Sequence, residues 1–216
     1  MHHSLKLYSR YRELALKYYI FQARWTRIPL IGRLVRKVAN AYGKNVSAAY
    51  LLNLHEANEI VDSSDGLALG PCTCRAVFKN CDNPINAEII VGFSRNIFME
   101  GRPHDYREIT KQEAKDILKQ CHQNGLIHTI VHWQHDFYAI CNCCSCCCVP
   151  LRLLKKYGIG NALVREDNIV EKLKERQFSQ PWIRPSLLAC FYMWHQRIQT
   201  AKSCNSWLVW VFGTAK

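Results

Sequence analysis

Leu7, Tyr11, Leu14, Tyr18, Phe21 and Trp25 follow one another at alternating spacings of four and three. That rhythm predicts a helix over residues 5–25 with a single apolar stripe. Arg10, Lys17 and Arg24 recur every seven residues beside it. The stripe either packs on the chain's own core or forms a basic amphipathic surface for a partner protein or an anionic membrane. Pro29 opens a second basic helix, about 30–42, which ends near Gly43. Ser47 is placed to cap a third over 48–61, stopped by "DSSDG". "EIIVGF", 88–93, reads as a strand.

Thr110 and Glu113 have capping-box spacing at the head of a helix over 109–126. Ala114, Ile117, Leu118 and Cys121 share one face of that helix, which assigns Cys121 to the core. Gly125 suits a left-handed C′ position, with Leu126 as the apolar contact beyond it. Two strands follow, 126–133 and 136–141, then a short helix from Pro150 to Gly158 and another over 166–176. Pro181 and Pro185 interrupt the chain before its tail. The expected fold class is therefore α+β. A basic helical region (1–69) precedes a small mixed domain (70–180), whose helix–hairpin, winged-helix-like unit presents a cysteine-rich site. A Trp-rich basic tail (181–216) closes the chain.

Composition sharpens this. Of 216 residues, 49% are hydrophobic and 21% charged, a globular balance. The net charge of +12 is concentrated at the ends: residues 1–45 hold ten Lys/Arg against Glu13 alone, and 181–216 hold four with no acid. No apolar run reaches the ~18 residues that span a bilayer, and Arg and Lys interrupt the N-terminal apolar residues as no signal peptide allows. The expected location is the cytoplasm, peripheral at a membrane if the basic N-terminal helix or the tail (Trp182, Trp194, Trp207, Trp210) touches lipid.

Nine of the twelve cysteines fall in two groups: Cys72, Cys74 and Cys81, then Cys141, Cys143, Cys144, Cys146, Cys147 and Cys148 in "CNCCSCCC". Adjacent cysteines pair poorly with each other, and a reducing compartment keeps thiols free. Unliganded thiols at this density would oxidise and crosslink. A thiophilic metal is the remaining explanation. Four thiolates serve one [4Fe-4S] cluster, so nine can serve two, or one with several nearby sulfurs that do not ligate. Zinc is the rival: Cys141/Cys144, Cys143/Cys146 and Cys144/Cys147 have knuckle spacing, although C-x-C and the CCC run fit zinc ribbons poorly. Arg75, Lys79, Arg152, Lys155 and Lys156 flank the groups and would offset thiolate charge. His128, His132 and His135 precede the second group, as exposed strand residues or as a ligand or proton relay. No Ser-His-Asp set, carboxylate pair, phosphate loop or nicotinamide fingerprint is visible, which leaves enzymatic activity open.

"GPCTCR…NCDNPI", "REITKQEAKDILKQCHQNGLIH" and "ICNCCSCCCVPLRLLKKYG" together resemble a family of prokaryotic 4Fe-4S-binding, ferredoxin-like proteins over roughly residues 70–165. The resemblance implies that the nine grouped cysteines are candidate ligands of one or two [4Fe-4S] clusters. It does not extend to the C-x2-C-x2-C-x3-C-P module of many relatives, which this sequence lacks. The expected function is electron transfer, or redox service to a partner oxidoreductase. The alternative is a regulatory iron–sulfur or zinc module that binds a partner protein or, less favoured, nucleic acid.

Overall fold

The computed structural model describes residues 2–133 and 136–178; His135 and the tail from 179 onward lie outside them. The chain is α+β. Two helices lead, α1 (His2–Ala23) and α2 (Gly32–Asn45), joined through a 3-10 turn. Then come β1 (Ala49–Leu52), α3 (Leu54–Ser63), β2 (Leu67–Pro71), α4 (Thr73–Phe78) and β3 (Asn86–Val91). α5 (Ser94–Gly101), β4 (Arg107–Ile109), α6 (Lys111–Gln123), β5 (Ile127–Trp133) and β6 (Asp136–Cys143) follow. α7 (Val149–Tyr157), β7 (Leu163–Arg165) and α8 (Ile169–Phe178) complete the described part. The seven strands form one sheet, ordered β4-β2-β3-β6-β5-β1-β7. Every pairing is antiparallel except β1 with β7.

Strand alternation gives the sheet two different faces. Ile89, Ile130 and Ile140 project to one face, which α3, α6 and α8 cover with Ile60, Leu118 and Leu173. Ile90 and Ala139 project to the other, against Leu5 of α1 and Phe98 of α5. Further along that second face, Leu16, Ile20 and Ala23 of α1 meet Val149 and Tyr157 of α7.

Three local differences from the sequence pattern have clear causes. α1 buries Leu5, Ser9, Arg12, Leu16, Ile20 and Ala23, a second helical row, and leaves Leu7, Tyr11, Leu14, Tyr18, Phe21 and Trp25 exposed. The buried row is chosen because Arg12 has a partner there. Its Nη1 donates to Glu88 Oε2 at 2.6 Å and its Nη2 to Oε1, with both side chains buried. Tyr106 completes the set: Arg12 Nη1 donates to its hydroxyl at 3.0 Å, and the hydroxyl donates to Glu88 Oε2 at 3.1 Å. Gly70 makes room for it, since a Cβ there would lie 2.0 Å from the Tyr106 ring.

The helix expected over 48–61 is instead strand β1 followed by α3. Asn53, not Ser47, is its cap: Asn53 Oδ1 accepts from Glu56 N–H at 2.8 Å, and Glu56 Oε2 accepts from Asn53 N–H at 2.8 Å. The aliphatic run Ala49–Leu52 pairs with β5 on one side and β7 on the other, so the sheet overrides helical propensity there. β1 and β2 thus bring the stretch expected to be helical into the same sheet as the cysteine-rich segment. Finally, α6, β5 and β6 keep the helix–hairpin order, but β5 and β6 sit in the middle of the sheet and not as a free wing.

α6 itself follows the sequence closely. Thr110 Oγ1 accepts from Glu113 N–H at 3.1 Å, while the Glu113 carboxylate turns to Arg107. Gly125 has φ +69°, and Leu126 N–H bonds the Cys121 carbonyl at 3.0 Å, closing the helix as expected. Cys121 is buried beside Leu126.

Candidate metal centre

The two cysteine groups converge, and the fold sorts them. β6 ends at Cys143, so Cys141 and Cys143 point to the α1 side of the sheet while Asn142 points to the other. Residues 145–147 then turn, which swings Cys144, Cys146 and Cys147 away from the sheet. Cys148 is the N-cap residue of α7 and faces back toward the cavity that Cys143 lines. In the other segment, β2 runs into α4 with Cys72 as its N-cap residue and Cys74 in its first turn. α4 stops at Lys79, whose φ of +46° is left-handed, a conformation costing a non-glycine residue roughly 1–2 kcal/mol. That turn carries Asn80 and Cys81 across to the 144–147 turn.

An outer set results. The sulfurs of Cys81, Cys144, Cys146 and Cys147 all lie within 4.8 Å of one another. Cys81 Sγ is 3.7 Å from Cys144 Sγ and 3.8 Å from Cys147 Sγ. Asn80 N–H donates to Cys147 Sγ at 3.3 Å, and Asn83 Nδ2 donates to Cys81 Sγ at 3.4 Å. Asn80 Nδ2 also donates to the Cys146 carbonyl at 3.1 Å, tying the two segments together. Desolvation raises the Cys81 thiol, but the Asn83 hydrogen bonds and the neighbouring Cys146 and Cys144 outweigh it and bring the group down to about 6. Four sulfurs so arranged can hold a metal ion.

The other five cysteines, together with Cys144 of the outer set, line a cavity of about 710 Å³ between the sheet and helices α1, α2 and α7. Burial raises Cys72 to about 12, and it raises Cys74 further. Cys143 Sγ lies 3.5 Å from Thr129 Oγ1. Cys141 Sγ donates to Glu88 Oε1 at 3.4 Å, so it joins the Arg12–Glu88 pair. All ten cysteines among the described residues are free.

Arg75 sits between the two sets. It is 2% exposed, and its Nη1 donates to the Asn142 carbonyl at 2.8 Å. It makes no ion pair among the described residues, and its Nε and Nη2 meet no oxygen or nitrogen acceptor. Burial disfavours its charge, and the neighbouring sulfurs of Cys72, Cys144 and Cys143 outweigh that and raise its pKa, Cys144 also as a hydrogen-bond partner. The remaining flanking cations are less central: Arg152 stacks over Phe78 at 4.4 Å, and Lys155 and Lys156 are exposed in the last turn of α7.

Among the described residues, His128 and His132 do not join the site. His128 and His132 are 2% and 3% exposed, not solvated, and alternation places them with Ile130 on the face opposite Cys141 and Cys143. His128 Nδ1 pairs with Asn142 Oδ1 at 2.6 Å, and burial lowers its basicity. His135 lies outside the described residues.

Arg12 and Glu88 carried no sequence signal, since they are 76 residues apart and each looks like a surface charge in its own segment. No protein-family model matches the chain, and comparisons with curated proteins and with solved structures find no relative. Among the described residues, no helix is long and apolar enough to cross a membrane.

Proposed function

We propose that this protein binds an iron–sulfur cluster at Cys81, Cys144, Cys146 and Cys147 and uses it to exchange electrons with a partner oxidoreductase. The observation that carries the proposal is Arg75. A guanidinium withdrawn from water without a carboxylate costs several kcal/mol. A metal–thiolate centre is anionic, and its charge beside Cys144 would offset that cost. Iron–sulfur chemistry is favoured over a structural ion because nine sulfurs surround the place, more than twice what one tetrahedral ion uses. The motif resemblance points the same way. When bound, the cluster supplies one-electron chemistry. Asn80 N–H and the Asn83 amide stabilise the sulfurs as they gain charge on reduction. Cys81 and Cys146 are only half-buried, which leaves the centre within reach of a docked partner.

The exposed row on α1 supports an anionic membrane surface as the setting. Leu7, Tyr11, Leu14, Tyr18, Phe21 and Trp25 are each about half exposed or more, with Arg10, Lys17 and Arg24 alongside. Apolar and aromatic residues flanked by cations are complementary to the headgroup boundary.

Zinc is the second reading, and one observation favours it. Zn–S bonds of about 2.3 Å set a tetrahedral sulfur–sulfur edge of about 3.8 Å, and the Cys81 separations are 3.7 and 3.8 Å. The two readings separate in one experiment. Anaerobically purified protein with visible absorption that dithionite bleaches, lost in Cys81→Ser, supports the cluster. Colourless protein carrying one zinc, lost in Cys81→Ser, overturns it.

A further inference from the structure

We propose that the cavity between the sheet and helices α1, α2 and α7 holds a second metal–sulfur centre, a polynuclear iron–sulfur cluster ligated by Cys72, Cys74, Cys143 and Cys148 and distinct from the outer one. All four residues line the same cavity, although they come from two segments about 70 residues apart in sequence. At about 710 Å³ the space far exceeds the ~30 Å³ that one water occupies, so it suits a body larger than a single ion. The four thiols are electrostatic neighbours: Cys72 of Cys74 and Cys143, Cys74 of Cys143 and Cys148, and Cys143 of Cys148. Their spacing is wider than that of the outer set, which is the one group among the described residues with every sulfur within 4.8 Å.

Each of the four sulfurs also meets a donor. The backbone N–H groups of Arg75, Val149 and Leu151 face Cys72, Cys74 and Cys148. Thr129 Oγ1 faces Cys143 at 3.5 Å. Such donors stabilise thiolates and set cluster potential. On assembly, each Sγ–H releases its proton to solvent as an Fe–S bond forms, with two ferrous ions, two ferric ions and four sulfides taken from solution for a [4Fe-4S] core.

Cys141 lines the same cavity but is excluded from the ligand set. Its thiol proton is held by Glu88 at 3.4 Å, and Glu88 is fixed by Arg12. Ionised, Cys141 would confront that carboxylate. The two centres would be immediate neighbours, since Cys143/Cys144 and Cys147/Cys148 are consecutive residues with α-carbons about 3.8 Å apart. Arg75 would serve both.

The test is iron, acid-labile sulfide and zinc content of the full chain after anaerobic reconstitution with ferrous and ferric iron and sulfide, with EPR of the reduced protein. Two clusters predict about eight iron and eight sulfide. Cys74→Ser should lose about half of each, Cys81→Ser the other half, and Cys141→Ala neither. Reduced wild type should show spin–spin broadening that either single loss removes. About four iron and four sulfide, lost in Cys81→Ser and kept in a Cys74→Ser protein with wild-type circular dichroism, overturns the proposal. So does Cys141→Ala behaving like Cys74→Ser. Four iron lost in Cys74→Ser, together with one zinc lost in Cys81→Ser, upholds the cavity cluster while refuting the outer one. Should Cys74→Ser fail to fold, the wild-type count of eight against four decides.

Discussion

Cys143 and Cys144 are consecutive, yet their sulfurs meet different partners. Cys143 Sγ lies 3.5 Å from Thr129 Oγ1 in the cavity, and Cys144, which also lines the cavity, has its sulfur 3.7 Å from that of Cys81. The end of β6 and the turn after it thus sort six crowded cysteines into two sets that adjoin at Cys144, and the predictions below follow from that arrangement.

The outer set makes Cys81 and Ser145 a contrasting pair. Cys81→Ser removes a sulfur from a four-sulfur group, while Ser145 is exposed in the same turn. Cys81→Ser is expected to abolish metal at the outer site, and Ser145→Ala to leave it unchanged. Elemental analysis of both variants beside wild type reads this directly.

Arg75 links charge at the site to stability. Arg75→Met removes a buried cation that has no counter-charge in the metal-free chain. The metal-free variant should be as stable as wild type or more so, whereas metal affinity should fall roughly 10- to 100-fold. Urea melts of the metal-free proteins and chelator competition of the loaded ones give the two signs separately. Loss of stability in the metal-free variant would mean that Arg75 serves packing alone.

Arg12 and Glu88 anchor α1 to the sheet. Glu88→Ala leaves the Arg12 guanidinium buried and unpaired, at an expected cost of about 3–5 kcal/mol. Arg12→Met/Glu88→Leu removes both charges and should recover most of that loss. Chemical denaturation of the single and double variants measures the difference.

Glu56 gives the fold an acid-side dependence. The side-chain hydrogen bonds from Arg165 Nη1 and Nη2, at 2.6 and 2.7 Å, hold its carboxyl below the usual range against the opposing effect of burial. A depressed carboxylate contributes stability that is fully present above the unfolded value of about 4.3 and is lost as pH falls through the folded value. Glu56→Gln should therefore destabilise the protein at neutral pH and flatten its acid-side decline. Denaturant midpoints between about pH 7 and pH 3 test this.

The exposed row of α1 predicts lipid contact. Leu14→Glu and Phe21→Glu should leave the melting midpoint nearly unchanged, because both residues are exposed, and should abolish co-sedimentation with vesicles rich in phosphatidylserine. Equal binding by wild type and variants would remove the membrane from the account.

Much of this was legible in the sequence where physics is local. The Thr110 cap, the left-handed Gly125 and the burial of Cys121 all come from contacts within a few residues. Convergence of Cys81 with Cys144, Cys146 and Cys147 was anticipated only as grouping, because the partition depends on where β6 stops and on the left-handed turn at Lys79. α1 misled because it carries two helical rows. The row with more apolar side chains stayed in solvent, and the row containing Ser9 and Arg12 went inside. Glu88 decided that, and no local pattern reveals a partner 76 residues away. Ala49–Leu52 reads as the start of a helix until β5 and β7 are there to pair with it.

Labile sulfide per chain in anaerobically purified wild-type protein tests the central claim most directly, because sulfide belongs to an iron–sulfur cluster and to no mononuclear site. The account predicts about eight sulfides with about as many iron atoms. Protein with stoichiometric zinc and no sulfide would contradict it.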